Sequence, residues 1–214
     1  MSARERPLLA AVPERRRPNR GEERRVALLA SLERLLECRP LAEISIEDIA
    51  SGAGVTRSAF YFYFPTKAAA VATILREVFD AMIAATSDFF ERDIGTPRER
   101  LGDSLSRGAA AWHAHGNLVL ALLDAAGSDP DIRRVFDQWV DTYAELTANR
   151  IEAERATGRA PDGIDARDLA GVLIGMNQRA FERDLRYQAS PKQIDRTISA
   201  LVETWASAVY HDTT

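Results

Sequence analysis

The stretch from Ser45 to Lys67, SIEDIASGAGVTRSAFYFYFPTK, limits the fold more strongly than any other part of the chain. Its first half has apolar residues at positions 46, 49, 50 and 53, the spacing of one face of a short helix, and Ser45 is suited to cap that helix. Gly54 can adopt the left-handed conformation that ends it, and Thr56 is placed to cap a second helix. Two helices joined by three or four residues that include glycine predict a helix-turn-helix, whose second helix enters the major groove of DNA.

The second helix carries side chains that suit contact with DNA. Its N-terminus offers backbone N–H groups to a phosphate, and Thr56, Arg57 and Ser58 add side-chain donors beside them. Tyr61 and Tyr63 lie two residues apart and splay around the helix, so that both hydroxyls can reach phosphates that flank a groove. The predicted DNA-binding residues are Ser45, Thr56, Arg57, Ser58, Tyr61, Tyr63 and Lys67.

The end of this stretch supplies a further argument for DNA. Pro65 stops the second helix and Thr66 caps the next, which leaves Lys67 in a first helical turn. A cation there opposes the helix dipole unless a phosphate lies nearby, so we expect Lys67 to face DNA. Phe60 and Phe64, four residues apart, are expected to pack inward. The alternative is an ordinary helical hairpin with two solvated tyrosines.

The run IEDIASGAGVTRSAFYFYFPTKAAA resembles the DNA-binding domain of the TetR family of one-component repressors, over roughly residues 22 to 75. The shared features are a small residue in the first helix of the helix-turn-helix (the second helix of the domain), an AGV turn, a Thr or Ser cap, and an aromatic run that ends in F-x-x-K. The segments RPLAEIS, FYFYFP, IEAERATGRAP and MNQR resemble a narrower group, the EthR-like repressors. The resemblance implies a ligand-responsive repressor that binds a near-palindromic double-stranded DNA operator as a dimer.

Apolar periodicity and turn residues divide the rest of the chain into helices, and no stretch alternates convincingly with period two. We therefore predict an all-α fold of about nine helices. A disordered basic arm is expected over 1–21, the helix-turn-helix domain over 22–66, and a helical ligand-binding and dimerisation domain over 67–214. The arginines of the arm are suited to lie along phosphates, although a solvated tail without specific contacts is an equal alternative.

The charge of the chain is unevenly distributed. The net charge is −4, yet residues 1–67 hold 12 Lys and Arg against 9 Asp and Glu, whereas the remainder holds 16 against 23. The basic side thus coincides with the helix-turn-helix, as a DNA-binding surface requires. No apolar run reaches 18 residues, and the N-terminus lacks the apolar core of a signal peptide, so we expect a cytoplasmic protein that neither enters nor binds a membrane.

The sequence lacks the common patterns of enzymes. There is no G-x-S-x-G, H-E-x-x-H, phosphate-binding loop or dinucleotide fingerprint. His113 and His115 lie two apart, so on one helix they point about 200° apart and cannot share a metal ion. Cys38, the one cysteine, is interpreted as a small apolar side chain near the end of a helix. We expect no catalytic residues, no metal and no cofactor.

Two side-chain stripes predict a small-molecule pocket in the second domain. Residues 136, 140, 143 and 147 share one helical face, and residues 174, 177, 178 and 181 share another. Apolar walls with a few polar groups are typical of such pockets, and Asn177 and Gln178 would orient a ligand. A plain core, in which the backbone satisfies both amides, is the alternative.

The resemblance to EthR-like proteins implies an elongated lipophilic ligand inside this domain. Their M-N pair matches Met176 and Asn177, Trp205 matches a pocket tryptophan, and Tyr143 replaces another. Gly102 and Ala109 stand where such relatives have bulky aromatics, which predicts a wider or differently shaped cavity. The predicted ligand-binding residues are Phe136, Val140, Tyr143, Asn177, Gln178, Phe181 and Trp205.

The last two helices are predicted to form the homodimer. They supply more apolar surface than one helix pair needs for its own packing, from Leu169, Leu173, Ile198, Leu201, Val202 and Val209. A dimer would bring two DNA-binding helices to two half-sites. The alternative function is a helical carrier of lipids or small molecules without specific DNA binding.

Overall fold

The computed structural model describes residues 20–91 and 95–211. These residues form nine α-helices and one short 3₁₀ turn, with no strand in the described ranges, which confirms the all-α prediction. The helices are α1 Arg20–Leu36, α2 Ile46–Gly52, α3 Arg57–Tyr63, α4 Lys67–Glu91, α5 Pro97–Ala114, α6 Gly116–Ser128, α7 Pro130–Ala156, α8 Ala166–Arg186 and α9 Pro191–Tyr210.

The predicted arm reached residue 21, but α1 already begins at Arg20, and the arm's residues 1–19 lie outside the described ranges. A 3₁₀ turn at Leu41–Glu43 between α1 and α2 was not predicted. Within the described residues, no helix is both long enough and apolar enough to span a bilayer.

The local signals of the helix-turn-helix operate as the sequence predicts. The Ser45 hydroxyl accepts a hydrogen bond from the Asp48 backbone N–H, and the Asp48 carboxylate accepts one from the Ser45 backbone N–H. These bonds, the backbone one foremost, hold the pKa of Asp48 below its ordinary value. Gly54 adopts a φ of +67°, and Thr56 caps α3 by accepting from the Ala59 N–H. Caps and turn, rather than propensity, therefore set the bounds of two very short helices.

Helices α1, α2 and α3 share a core that continues into α4. Leu32, Ile49 and Phe60 are each fully buried, and Phe64 is 3% exposed, so the expected inward packing of the two phenylalanines is confirmed. In the second part of the chain, which runs from α4 to α9, α4 packs against α5 and α7, α7 packs against α8, and α9 lies on α5. One continuous set of buried apolar side chains joins both parts.

A buried charge cluster fixes the far end of the second part. The carboxylate of Glu154, fully buried on α7, accepts hydrogen bonds from Arg100 of α5 at 2.8 Å and from Arg159 at 2.7 Å. Arg150, one turn before it, also pairs with this carboxylate. Separating the members of a buried ion pair leaves a charge without compensation, which is strongly destabilising even though the intact pair contributes little net stability. The cluster therefore fixes the position of α5 on α7.

Helices α1 and α2 approach closely at Gly52. A Cβ atom added at Gly52 would lie 2.3 Å from the Ser31 Oγ and 3.4 Å from the Ser31 Cβ. Ser31 is 1% exposed, and its hydroxyl has no hydrogen-bond partner among the described residues. The hydroxyl therefore fills the space that a side chain at position 52 would need.

We expect Gly52→Ala to destabilise the protein by roughly 1–3 kcal/mol, the usual effect of overpacking. Adding Ser31→Ala should restore or exceed the original stability, because the clashing oxygen is gone and alanine is about 1 kcal/mol better than glycine in a helix. Urea denaturation of the two single variants and the double variant measures this coupling. Additive effects of the two changes would contradict the predicted clash.

Candidate functional site

The outward face of α3 brings together most of the predicted DNA-binding side chains. Arg57, Ser58 and Tyr61 are exposed, and the Arg57 guanidinium lies 5.9 Å from the centre of the Tyr61 ring. The Thr56 hydroxyl is 2.9 Å from the Ser58 hydroxyl, so the two form a pair beside the first turn. Ser45 is exposed at the start of α2, and its hydroxyl can still donate a proton while it accepts the capping bond.

The two tyrosines of α3 differ in their surroundings. Tyr61 is 45% exposed, whereas Tyr63 is half-buried on the opposite flank of the helix. Its hydroxyl lies 3.8 Å from the position that a Cβ of Gly21 would take, so Tyr63 lies against α1. The residue between them, Phe62, is 82% exposed. Sequence reasoning passed over Phe62, although rotation of about 100° per residue places it next to Ser58 on the outward face.

The local argument for Lys67 is wrong. Its ammonium group donates to the carbonyl oxygens of Leu41 at 2.7 Å and Ile44 at 2.6 Å, in the connection between α1 and α2. These two carbonyls balance the cation in the first turn of α4, so no phosphate is needed to explain its position. Partial burial lowers the pKa of this ammonium group. The contact of Lys67 with DNA remains a prediction, which would depend on its third N–H group.

A cavity of about 620 Å³, including its mouth, lies among α4, α5, α7, α8 and α9. Its lining contains seven aromatic side chains and no charged one. The walls are Met82, Thr86, Phe89, Phe90, Leu101, Ser104, Leu105, Gly108, Trp112, Trp139, Tyr143, Thr147, Ile174, Asn177, Gln178, Phe181 and Trp205.

Five of the seven predicted ligand-binding residues line this cavity. They are Tyr143, Asn177, Gln178, Phe181 and Trp205. Phe136 and Val140 are not among the walls of this cavity, so their contact with a ligand stays a prediction. Phe136 is buried against the Phe79 ring, 5.6 Å between ring centres, and Val140 is half-buried against the core. Trp139 takes the expected place of Phe136 on the wall.

Sequence reasoning missed the α4 and α5 walls. On α4, Met82, Thr86, Phe89 and Phe90 line the cavity, and Met82 and Phe89 are also part of the buried core, since core and cavity wall share the same apolar pattern. On α5, Trp112 and Gly108 line the cavity, whereas Gly102 and Ala109 do not. The expected widening at Gly102 and Ala109 therefore has no basis in this structure.

Hydrogen bonds fix the polar groups of the cavity. The Trp205 indole N–H donates to the Asn177 side-chain oxygen at 2.9 Å, which leaves the Asn177 amide N–H groups as donors. The Thr86 hydroxyl lies 3.1 Å from the carbonyl oxygens of Met82 and Ile83, and it also bonds the Tyr143 hydroxyl. Either hydroxyl can be the donor in that pair. Burial raises the pKa of Tyr143 to about 12, so the phenol stays neutral.

Comparison with known proteins identifies the family to which the chain belongs. Residues 28–73 match the family described as "Bacterial regulatory proteins, tetR family", and residues 102–211 match "Transcriptional regulator EthR, C-terminal domain". The HTH-type transcriptional regulator EthR of Mycobacterium tuberculosis is 32% identical over 204 residues, which cover 94% of each chain. This chain belongs to the TetR family of transcriptional regulators, in its EthR group. The resemblance seen in the sequence is confirmed.

Other relatives agree with this TetR-family assignment. EthR of Mycolicibacterium smegmatis is 31% identical over 194 residues, which cover 89% of this chain and 88% of the relative. A TetR-family regulator structure from Syntrophomonas wolfei superposes with a TM-score of 0.75 at 18% identity, covering 91% of this chain and all of that one. At this identity the superposition shows the shared fold alone. Both EthR relatives are named as transcriptional regulators, a class of protein distinct from enzymes.

We expect Lys67→Met to lower the free energy of unfolding by about 2 kcal/mol, because two partly buried carbonyls lose a charged donor. Lys192→Met is the matched control, since Lys192 is an exposed lysine near the start of α9. Thermal and urea denaturation of both variants measure the difference. Equal stability of the two variants would show that the carbonyl bonds contribute nothing.

Proposed function

We propose that this TetR-family regulator is a ligand-responsive repressor, acting in the cytoplasm as a homodimer on a near-palindromic operator. One observation carries the proposal: α4 holds four wall residues of an uncharged cavity at one end and is bonded to the helix-turn-helix at the other. A small molecule in the cavity is thus in contact with the helix that positions the DNA-binding surface.

The DNA-binding assignment is supported by the exposed face of α3. Arg57, Ser58 and Tyr61 share that face with the Thr56 cap, and these are the groups that donate to phosphates and base edges. Ser45, Tyr63 and Lys67 border it and are proposed as phosphate contacts on its flanks. Two copies of a seven-residue helix reading two half-sites would suit a near-palindromic operator.

The effector is proposed to be an uncharged, lipophilic molecule that carries a hydrogen-bond acceptor. A buried charge without a partner is strongly unfavourable, and no charged side chain lines the cavity to provide one. The Tyr143 phenol is neutral and is already bonded to the Thr86 hydroxyl. The donors that remain for a ligand include the amide N–H groups of Asn177 and Gln178 and the Trp139 indole N–H, which is buried without a partner among the described residues. All of them suit a carbonyl or ether oxygen.

The homodimer is proposed to form through α8 and α9, but not through the residues first expected. Five of those six apolar side chains are buried within one chain, and Ile198 is half-buried. The exposed surface of α8 instead has Val172 at 71% exposure between Gly171 and Gly175, and a Cβ added at either glycine would contact nothing. A flat face with one apolar side chain allows a helix of a second copy to approach closely.

The regulatory step follows from differential affinity. A ligand can change DNA binding only if it prefers one arrangement of the two DNA-binding helices over the other. Helix α4 is the element through which that preference would act, since it contacts both the ligand cavity and the helix-turn-helix.

The first test is a gel shift of the purified protein against DNA that flanks its own gene, at stated salt. We expect a discrete complex that survives nonspecific competitor DNA. Tyr61→Ala should weaken this complex at least tenfold through loss of contacts on both half-sites, with the fold unchanged. Val172→Arg should weaken it by breaking the dimer, which sedimentation measures independently.

Binding that competitor DNA abolishes, at this site and in a genome-wide pull-down, would support the alternative of a helical carrier without specific DNA binding. Normal specific binding by a monomeric Val172→Arg variant would contradict the dimer proposal alone.

Asn177→Leu should reduce effector affinity and induction while leaving ligand-free operator binding unchanged. The variant removes the amide donors offered to a ligand and also leaves the Trp205 indole N–H without its acceptor. Asn117→Leu is a matched control on the exposed surface of α6. Titration of a neutral lipophilic ester into the protein–operator complex measures the change, and an unaltered response would contradict the assigned role of Asn177.

A further inference from the structure

Phe62 stands out on the DNA-binding surface because it is apolar and almost fully exposed. At 82% exposure it exceeds every other large hydrophobic side chain of the described residues. Phe60 and Phe64, its neighbours along α3, are buried, whereas the Phe62 ring has only an edge-to-face contact with Tyr63, 5.0 Å between ring centres. Phe62 therefore contributes little to the folded core of one chain.

The position of Phe62 on α3 limits what it can contact. With about 100° per residue, Arg57, Tyr61, Ser58 and Phe62 follow one another around the helix over an arc of roughly 140°. All four are exposed, and the first three are polar groups suited to phosphates and base edges. The proposed dimer surface is on α8 and α9, so a second copy does not cover Phe62. An α3 placed in the major groove puts this ring against the edges of the bases.

The base edges of the major groove carry one apolar group, the C5-methyl of thymine. A phenyl ring neither donates nor accepts a conventional hydrogen bond, so it recognises that methyl by contact and excludes water from it. We propose that Phe62 contacts the C5-methyl of one thymine in each half-site and is a specificity-determining residue of this regulator. The inference rests on the proposed binding to an operator.

Replacing thymine by deoxyuridine removes only this methyl and leaves base pairing intact. Operators with deoxyuridine at each thymine in turn are titrated with wild type, Phe62→Ala and Tyr187→Ala. Tyr187 is the matched control, because it is an exposed aromatic residue at 79%, just after α8.

For wild type, deoxyuridine at one symmetric pair of positions should weaken binding about fourfold per half-site, the value of one buried methyl group. Phe62→Ala should bind the thymine operator more weakly by a similar factor and lose sensitivity to that replacement. Tyr187→Ala should behave as wild type. Unchanged melting temperatures would confirm that the exposed side chains do not alter the fold.

A Phe62→Ala variant that keeps the full sensitivity to deoxyuridine would overturn the inference, because another residue would then contact the methyl. The inference would also be overturned if Phe62→Ala bound the operator more weakly while deoxyuridine had no effect on the affinity of wild type. That result would favour a Phe62 ring inserted between bases. In both cases the wild-type operator complex still forms. Absence of any specific wild-type complex would instead overturn the proposed function and this inference with it.

Discussion

The structure depends on the packing of α4, which takes part in both halves of the chain. Its 25 residues extend about 37 Å, far more than the DNA-binding part needs for its own core. Val71, Ile74 and Leu75 near its start are buried, while Phe89 near its end lines the cavity. Because close-packed interiors deform little, a displacement at one end of such a helix is carried to the other. The two bonds from Lys67 to the α1–α2 connection attach that end to the helix-turn-helix.

Two pairs of polar groups in the cavity satisfy each other without a ligand. Asn177 accepts from Trp205, and the Tyr143 and Thr86 hydroxyls bond each other, whereas the buried Trp139 indole N–H has no partner among the described residues. The remaining groups would determine the selectivity for the proposed effector. They include N–H donors but no charge, so a charged molecule would lose its hydration without compensation. A neutral molecule gains from the aromatic walls and needs only one acceptor.

Sequence patterns predicted the structural features that depend on residues close together in the chain. The Ser45 and Thr56 caps, the left-handed Gly54 and the inward Phe60 are local consequences of residue type and spacing, and all are present. The failures concern contacts between distant segments. Lys67 meets carbonyls more than 20 residues away. Such a contact does not follow from the spacing of residues along a helix. The unfavourable position of the Lys67 cation in a first helical turn therefore suggested a phosphate, whereas two carbonyl oxygens balance it.

The predicted pocket failed in part for a related reason. An apolar stripe shows which helical face is inside, but not whether that face meets another side chain or a space. Phe136 and Trp139 lie one helical turn apart on the same inward side of α7 and both pack against Phe79, yet only Trp139 also lines the cavity. The residues expected at the dimer surface have the same ambiguity, since Leu173 and Leu201 are buried in the core of a single chain. In an all-α protein with several layers, a helix pair also packs against other helices of the same chain. Apolar surface in excess of what the pair needs for its own packing therefore does not indicate an interface between chains.

The shortness of α3 explains how the proposed regulation would act through geometry. Seven residues would place about four side chains on a groove, so one protomer of the proposed dimer would bind DNA weakly and specific affinity would require both half-sites together. Linking two weak contacts makes affinity depend steeply on their separation, because an unsuitable distance removes the second contact entirely. Under this proposal, a ligand that moves α4 slightly would not have to touch the DNA-binding residues. It would only have to prefer the separation at which the two α3 helices no longer fit their half-sites.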